Sequence, residues 1–128
     1  MKRTALTLAV ATALLAGCGG SSYESVSDLV AALEEKGIDC PEFTQVDPSG
    51  HSAEHGSCAE RAGETTLGLD VYESADDRDA EVADTVKGYA DFDLPYCIVY
   101  ADLWSVNATS SGQCDVIARE MDGETKQG

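Results

Sequence analysis

Apolar residues recur along this chain with two different periods, and the switches between them lay out its elements. Val26, Leu29, Val30 and Leu33 stand at i, i+3, i+4 and i+7, one stripe of a helix. Ser25, with Asp28 three residues on, reads as the N-cap of that helix, and Gly37 as its stop before Cys40-Pro41. Phe43 to Val46 reads as a brief extended piece, followed by a loop at Asp47-Pro48-Ser49-Gly50 and a strand around His55 to Glu60. Beyond a turn at Arg61-Ala62-Gly63 the period becomes two. From Thr65 to Tyr72, Leu67, Leu69 and Val71 fall on one face and Thr66, Gly68, Asp70 and Tyr72 on the other. That alternation predicts a strand, paired with the preceding one as a hairpin.

Ser74 and Asp77 open a second helix, expected to turn Val82, Ala83, Val86 and Tyr89 inward and to end near Gly88 to Ala90. Its first turns hold Asp76, Asp77, Asp79 and Glu81, where the helix dipole favours negative charge. The stretch from Cys97 to Val106 is rich in β-formers and reads as one long strand or as two folded at Ala101-Asp102, the hairpin being preferred. Cys114, Ile117, Ala118 and Met121 return to helical spacing, with Gly123 as a stop. The pattern predicts one α+β domain over residues 24–123 and a polar tail at 124–128. Its sheet is expected to be antiparallel, with three or four strands covered on one face by helices, in the order α-β-β-α-β-β-α.

The segment before residue 18 follows neither period. Lys2 and Arg3 precede an apolar run from Ala5 to Leu15, well short of the ~20 residues that cross a bilayer, so residues 1–17 read as a secretory signal. Leu15-Ala16-Gly17-Cys18 is similar to the lipobox of bacterial lipoproteins. That resemblance implies a diacylglycerol on the Cys18 thiol and cleavage just before it. Residues 18–23 would then be a lipidated cysteine and a short flexible tether, and the cell membrane's extracytoplasmic face the location. A plain secretory signal, with Cys18 free to join a disulfide, is the competing reading.

Removing 17 of the 128 residues leaves 111, enough for one domain. The removed part holds two of the eight basic residues and none of the 24 acidic ones. Six basic residues then face 24 acidic ones, a net charge of −18 in place of −16. Such a charge repels nucleic acid and gives no basic cluster for lying flat on an anionic leaflet. A monomer held off the membrane is expected, with an envelope protein or small ligand as its partner. Cys40, Cys58, Cys97 and Cys114 remain, an even number in an exported protein, and predict two disulfides. Sequence leaves three connectivities open. Cys40–Cys58 with Cys97–Cys114 is favoured, because each pair brackets one short unit.

The chain also resembles small exported lipoproteins of actinobacterial type. The resemblance lies in Glu35-Lys36-Gly37-Ile38-Asp39-Cys40, in Gly56-Ser57-Cys58, in Leu67-Gly68-Leu69-Asp70-Val71-Tyr72 and in Trp104-x-Val106. It implies a fold and a location and brings no activity.

Candidate chemistry is sparse. His51 and His55, spaced i, i+4 with Glu54 between them, have zinc-ligand spacing on a helix, but Gly50 and Gly56 flank them and favour a loop. They are the metal candidates if one binds; no resident cofactor is expected. Asp76-Asp77-Arg78-Asp79-Ala80-Glu81 lacks the mid-loop glycine and closing glutamate of a calcium loop. No nucleophile elbow, phosphate loop or Cys-x-x-Cys occurs. Trp104 and Tyr100 read as core residues, with Trp104 the natural anchor of any binding surface. The expected function is a non-enzymatic, lipid-tethered binding module with no catalytic residues, the alternative being a cation- or metal-scavenging surface lipoprotein.

Overall fold

The computed structural model describes residues 22–48, 50–59 and 67–128. The signal segment, Cys18 with most of the tether, the turn at Arg61-Ala62-Gly63 and the start of the strand at Thr65 lie outside the described residues. Nine elements follow in the order α1 (Val26–Glu35), β1 (Thr44–Val46), β2 (Glu54–Cys58), β3 (Leu67–Val71), α2 (Ala75–Asp91), β4 (Cys97–Ala101), β5 (Trp104–Ala108), α3 (Ser111–Met121) and β6 (Glu124–Gln127).

All six strands join one antiparallel sheet in the order β1-β2-β3-β5-β4-β6. The expected α+β class and the hairpin at Ala101-Asp102 are present. Two expectations are corrected. The sheet has six strands rather than three or four, because Thr44–Val46 pairs with β2 and the presumed polar tail pairs with β4. Helices also cover both faces rather than one.

Strand alternation explains the two faces. Leu67, Leu69 and Val71 of β3, Trp104, Val106 and Ala108 of β5, and Cys97 and Val99 of β4 point one way. They meet Val26, Leu29, Val30 and Leu33 of α1 and Cys114, Ile117 and Met121 of α3 in the main core. Tyr72, Val82, Ile98 and Ser105 are buried but lie outside that cluster. They form a thin second layer beneath α2, whose Val82 is its one buried residue; Ala83, expected inward, is exposed. A small partner surface leaves α2 mostly polar.

Each helix starts on a serine whose hydroxyl accepts the backbone N–H three residues on: Ser25 from Asp28, Ser74 from Asp77 and Ser110 from Gln113. Each ends in a left-handed residue, and only the first is the expected glycine, Gly37; Asp93 and Asp122 close the other two. Gly123, expected to stop α3, has another task. A Cβ there would lie 2.7 Å from Val99 Cγ1 and 3.3 Å from the Trp104 ring, so the glycine lets the chain cross the core edge into β6.

The disulfides are Cys40–Cys58 and Cys97–Cys114. Register places Cys58, Leu67, Ala108 and Cys97 in one cross-strand row. Both bridges thus fasten the same end of the sheet, one to the segment after α1 and the other to α3.

Candidate functional site

The side chains that carry chemistry gather between α2 and the sheet face it covers. Register aligns His55, Asp70, Ser105 and Tyr100 in one row across β2, β3, β5 and β4, on the face opposite the main core. Asp70 Oδ1 accepts two hydrogen bonds, from Ser52 Oγ at 2.6 Å and from His55 Nδ1 at 2.9 Å. Next along, the Tyr72 hydroxyl and Ser105 Oγ are 2.6 Å apart and buried. The Arg78 guanidinium closes the row: it lies 5.3 Å from the Tyr100 ring centroid and donates to the Asp102 carbonyl at 2.6 Å and to Asp79.

These contacts set the protonation states. The hydrogen bond to Asp70 is the largest influence on His55 and raises its pKa above 6.5, against the smaller opposing effect of burial. Burial pushes the Tyr72 hydroxyl far above its ordinary range, and the Asp70 charge adds to this. Tyr72 is therefore a fixed neutral hydrogen-bonding group. Ser52 and His55 share one carboxylate oxygen, whereas an activated serine would sit against the histidine's other nitrogen. The trio is an arrangement for holding the loop before β2 to β3.

A raised folded-state pKa means that His55 stabilises the fold most below the unfolded value of about 6.5, and that this contribution is lost as pH rises through the folded pKa. NMR titration is expected to place His55 above 6.5, and Asp70→Asn to bring it down. Chemical denaturation is expected to show that the stability gained by the wild type over His55→Gln shrinks between pH 6 and 8. A His55 that titrates identically in Asp70→Asn would remove this account.

The two histidines, the candidate ligand pair of the sequence, go separate ways. His55 is committed to Asp70 on β2. His51 sits in the preceding loop, where its Nε2 is 3.4 Å from Asp84 Oδ2 and its backbone N–H donates to Glu81 Oε1 at 2.9 Å. Glu54, between them in sequence, turns to the other face and accepts the Val26 N–H at 3.0 Å, adding an anion at the N-terminus of α1. The hairpin character of this region defeats the helical i, i+4 argument. What sequence missed were the partners, Glu81 and Asp84, which only the packing of α2 supplies.

The acidic run divides likewise. Asp77 completes the Ser74 cap, Asp79 pairs with Arg78, and Glu81 turns to the loop. Asp91 and Asp93 lie at the far end of the helix, ~20 Å away, so they cannot join that run. Trp104 is fully buried and is no surface anchor; its ring meets Tyr23 edge-on at 6.3 Å. The two most exposed large apolar residues among the described ones are elsewhere: Phe92 (77%) and Leu94 (52%) project between α2 and β4. Beside them Ala90, Asp93, Leu94, Pro95, Tyr96 and Gly128 line an open depression of about 420 Å³.

Comparison of the chain with protein-family models, with curated proteins and with solved structures finds no match. The site's meaning therefore rests on its own geometry.

Proposed function

We propose that this chain is a membrane-anchored lipoprotein of the extracytoplasmic face, working as a non-enzymatic binding module. The observation that carries the reading is Leu15-Ala16-Gly17-Cys18 behind Lys2, Arg3 and the short apolar run. Two disulfides suit an oxidising compartment, and among the described residues no helix is long and apolar enough to cross a membrane. Two acyl chains on Cys18 anchor a protein stably, at ~0.8 kcal/mol per buried CH₂.

The position of Ser22 supports a direction for such an anchor. Ser22, four residues after Cys18, hydrogen-bonds Asp102 in the turn after β4. Phe92 and Leu94 precede the opposite end of β4. A short tether from Cys18 therefore keeps the Asp102 end toward the bilayer and holds the apolar tip and its depression outward, where an envelope partner is met. The surplus of acidic residues suits a partner whose apolar patch has a basic rim. A second reading, capture of cations, is favoured by the convergence of His51, Glu81 and Asp84.

Fractionation of cells expressing Cys18→Ser tests the anchor. Wild type is expected in the membrane pellet and the variant almost entirely in the soluble fraction, with loss of incorporated fatty acid. A variant that stays with the membrane would refute the reading.

A further inference from the structure

We infer that His51, Glu81 and Asp84 form a three-ligand surface site for a borderline transition dication of the zinc class. One ligand atom from each residue lies within 4.8 Å of the other two. Glu81 and Asp84 stand at i, i+3 and share a face of α2, and His51 reaches them from the loop before β2.

A backbone contact helps to place the cluster. The His51 N–H donates to Glu81 Oε1, which leaves Oε2 to a metal. Gly50 turns the loop with φ 66°, a conformation that favours glycine, and a Cβ there would push the Glu81 carboxylate aside. His51 Nε2 already faces Asp84 Oδ2 at 3.4 Å, close to the ~3.4 Å between two ligand atoms of a tetrahedral metal with bonds near 2.0–2.2 Å. The other separations, within 4.8 Å, need to shorten by at most about 1.4 Å to reach that value, and the side chains are free to move that far: His51 is 41% exposed and Asp84 68%.

The donor set selects the metal class. One imidazole nitrogen with two carboxylates matches zinc-class sites, whose fourth position is left to water or a ligand. Ca²⁺ asks for six to eight oxygens, and Mg²⁺ for an octahedral oxygen shell. His55 and Glu54 take no part, being held by Asp70 and the Val26 N–H. Bound metal would pin the loop before β2 to α2.

This inference rests on the cation reading and is independent of the lipid anchor. The test therefore uses the full chain carrying Cys18→Ser with both disulfides intact, titrated calorimetrically with Zn²⁺ and with Ca²⁺. One Zn²⁺ per chain is expected, with Ca²⁺ far weaker. His51→Ala, Glu81→Gln and Asp84→Asn should each weaken Zn²⁺ binding by about tenfold or more, whereas Asp91→Asn, at the far end of α2, should leave it unchanged. Zinc should shift the His51 ring signals in NMR spectra and spare those of His55; circular dichroism checks that each variant is folded. Zinc binding that survives His51→Ala overturns this site while leaving cation capture standing. An absence of heat up to millimolar Zn²⁺ overturns both, and Ca²⁺ binding as tight as Zn²⁺ overturns the assignment of metal class.

Discussion

Replacing Trp104 by alanine is expected to destabilise the domain by about 3–5 kcal/mol, the usual range for emptying a fully buried aromatic site. Trp104 is the largest side chain with no exposure, and it starts β5, one of the two central strands. Its neighbours cannot collapse into the space. Tyr23 meets the ring edge-on before α1, Val99 stands on the adjacent strand, and the chain crosses into β6 at Gly123, where even a Cβ would come within 3.3 Å of the ring. These belong to separate elements held by their own hydrogen bonds. For a domain of this size the loss corresponds to a fall of at least about 12 °C in the unfolding midpoint. Trp104→Phe should cost clearly less, since it keeps much of the ring and removes an Nε1 donor that has no acceptor among the described residues. Urea unfolding of both variants checks this. An alanine variant within about 1 kcal/mol of wild type would show that the site repacks.

The disulfides give the second large effect. They close loops with sequence separations of 18 and 17 residues, each expected to stabilise by about 3 kcal/mol through restriction of the unfolded chain. All four cysteines are at least 95% buried, so paired replacement by alanine avoids burying a new hydroxyl. Cys58 and Cys97 share a cross-strand row but are three strand spacings apart, about 14 Å, too far to couple directly. The two losses should therefore add, to about 6 kcal/mol for the quadruple variant. That is comparable to the whole stability of many small domains. Denaturation of Cys40→Ala/Cys58→Ala, Cys97→Ala/Cys114→Ala and the quadruple variant measures it. If either pair could be removed at no cost, the account of that bridge as a staple would fail.

The two ends of the molecule then have different characters. The disulfide row, Phe92 and Leu94 occupy one end of the sheet. The other end carries Ser22, Asp102, Glu54, and the loop with His51. In the proposed anchored orientation the metal site lies on the membrane side and the apolar tip on the outer side, so occupancy of one need not obstruct the other.

Local rules made most elements legible. Helix starts followed from Ser25, Ser74 and the apolar stripes, because a hydroxyl and a 3.6-residue period act within a few residues of themselves. The alternation of Leu67, Leu69 and Val71 marked β3 because one face of that strand meets the core. By contrast β6, Glu-Thr-Lys-Gln, has no apolar alternation, and its burial is slight. It is a strand because β4 offers an unpaired edge, to which backbone groups bond whatever the side chains. Two aspartates end helices where glycine was the natural expectation, a choice made by the chain's path after the helix.

By itself, then, the sequence determined the α+β class, most helix and strand positions and the acidic surplus, since each depends on composition or on contacts a few residues apart. Only the tertiary structure decided the pairing of the cysteines, the number and order of strands, and the side of the sheet on which α2 lies. It also decided the histidines' partners. His51 meets Glu81 and Asp84 because α2 packs beside the loop that carries it, and His55 meets Asp70 because the β2–β3 register sets them side by side, across 15 to 33 residues of sequence. No periodicity in the chain records that crossing.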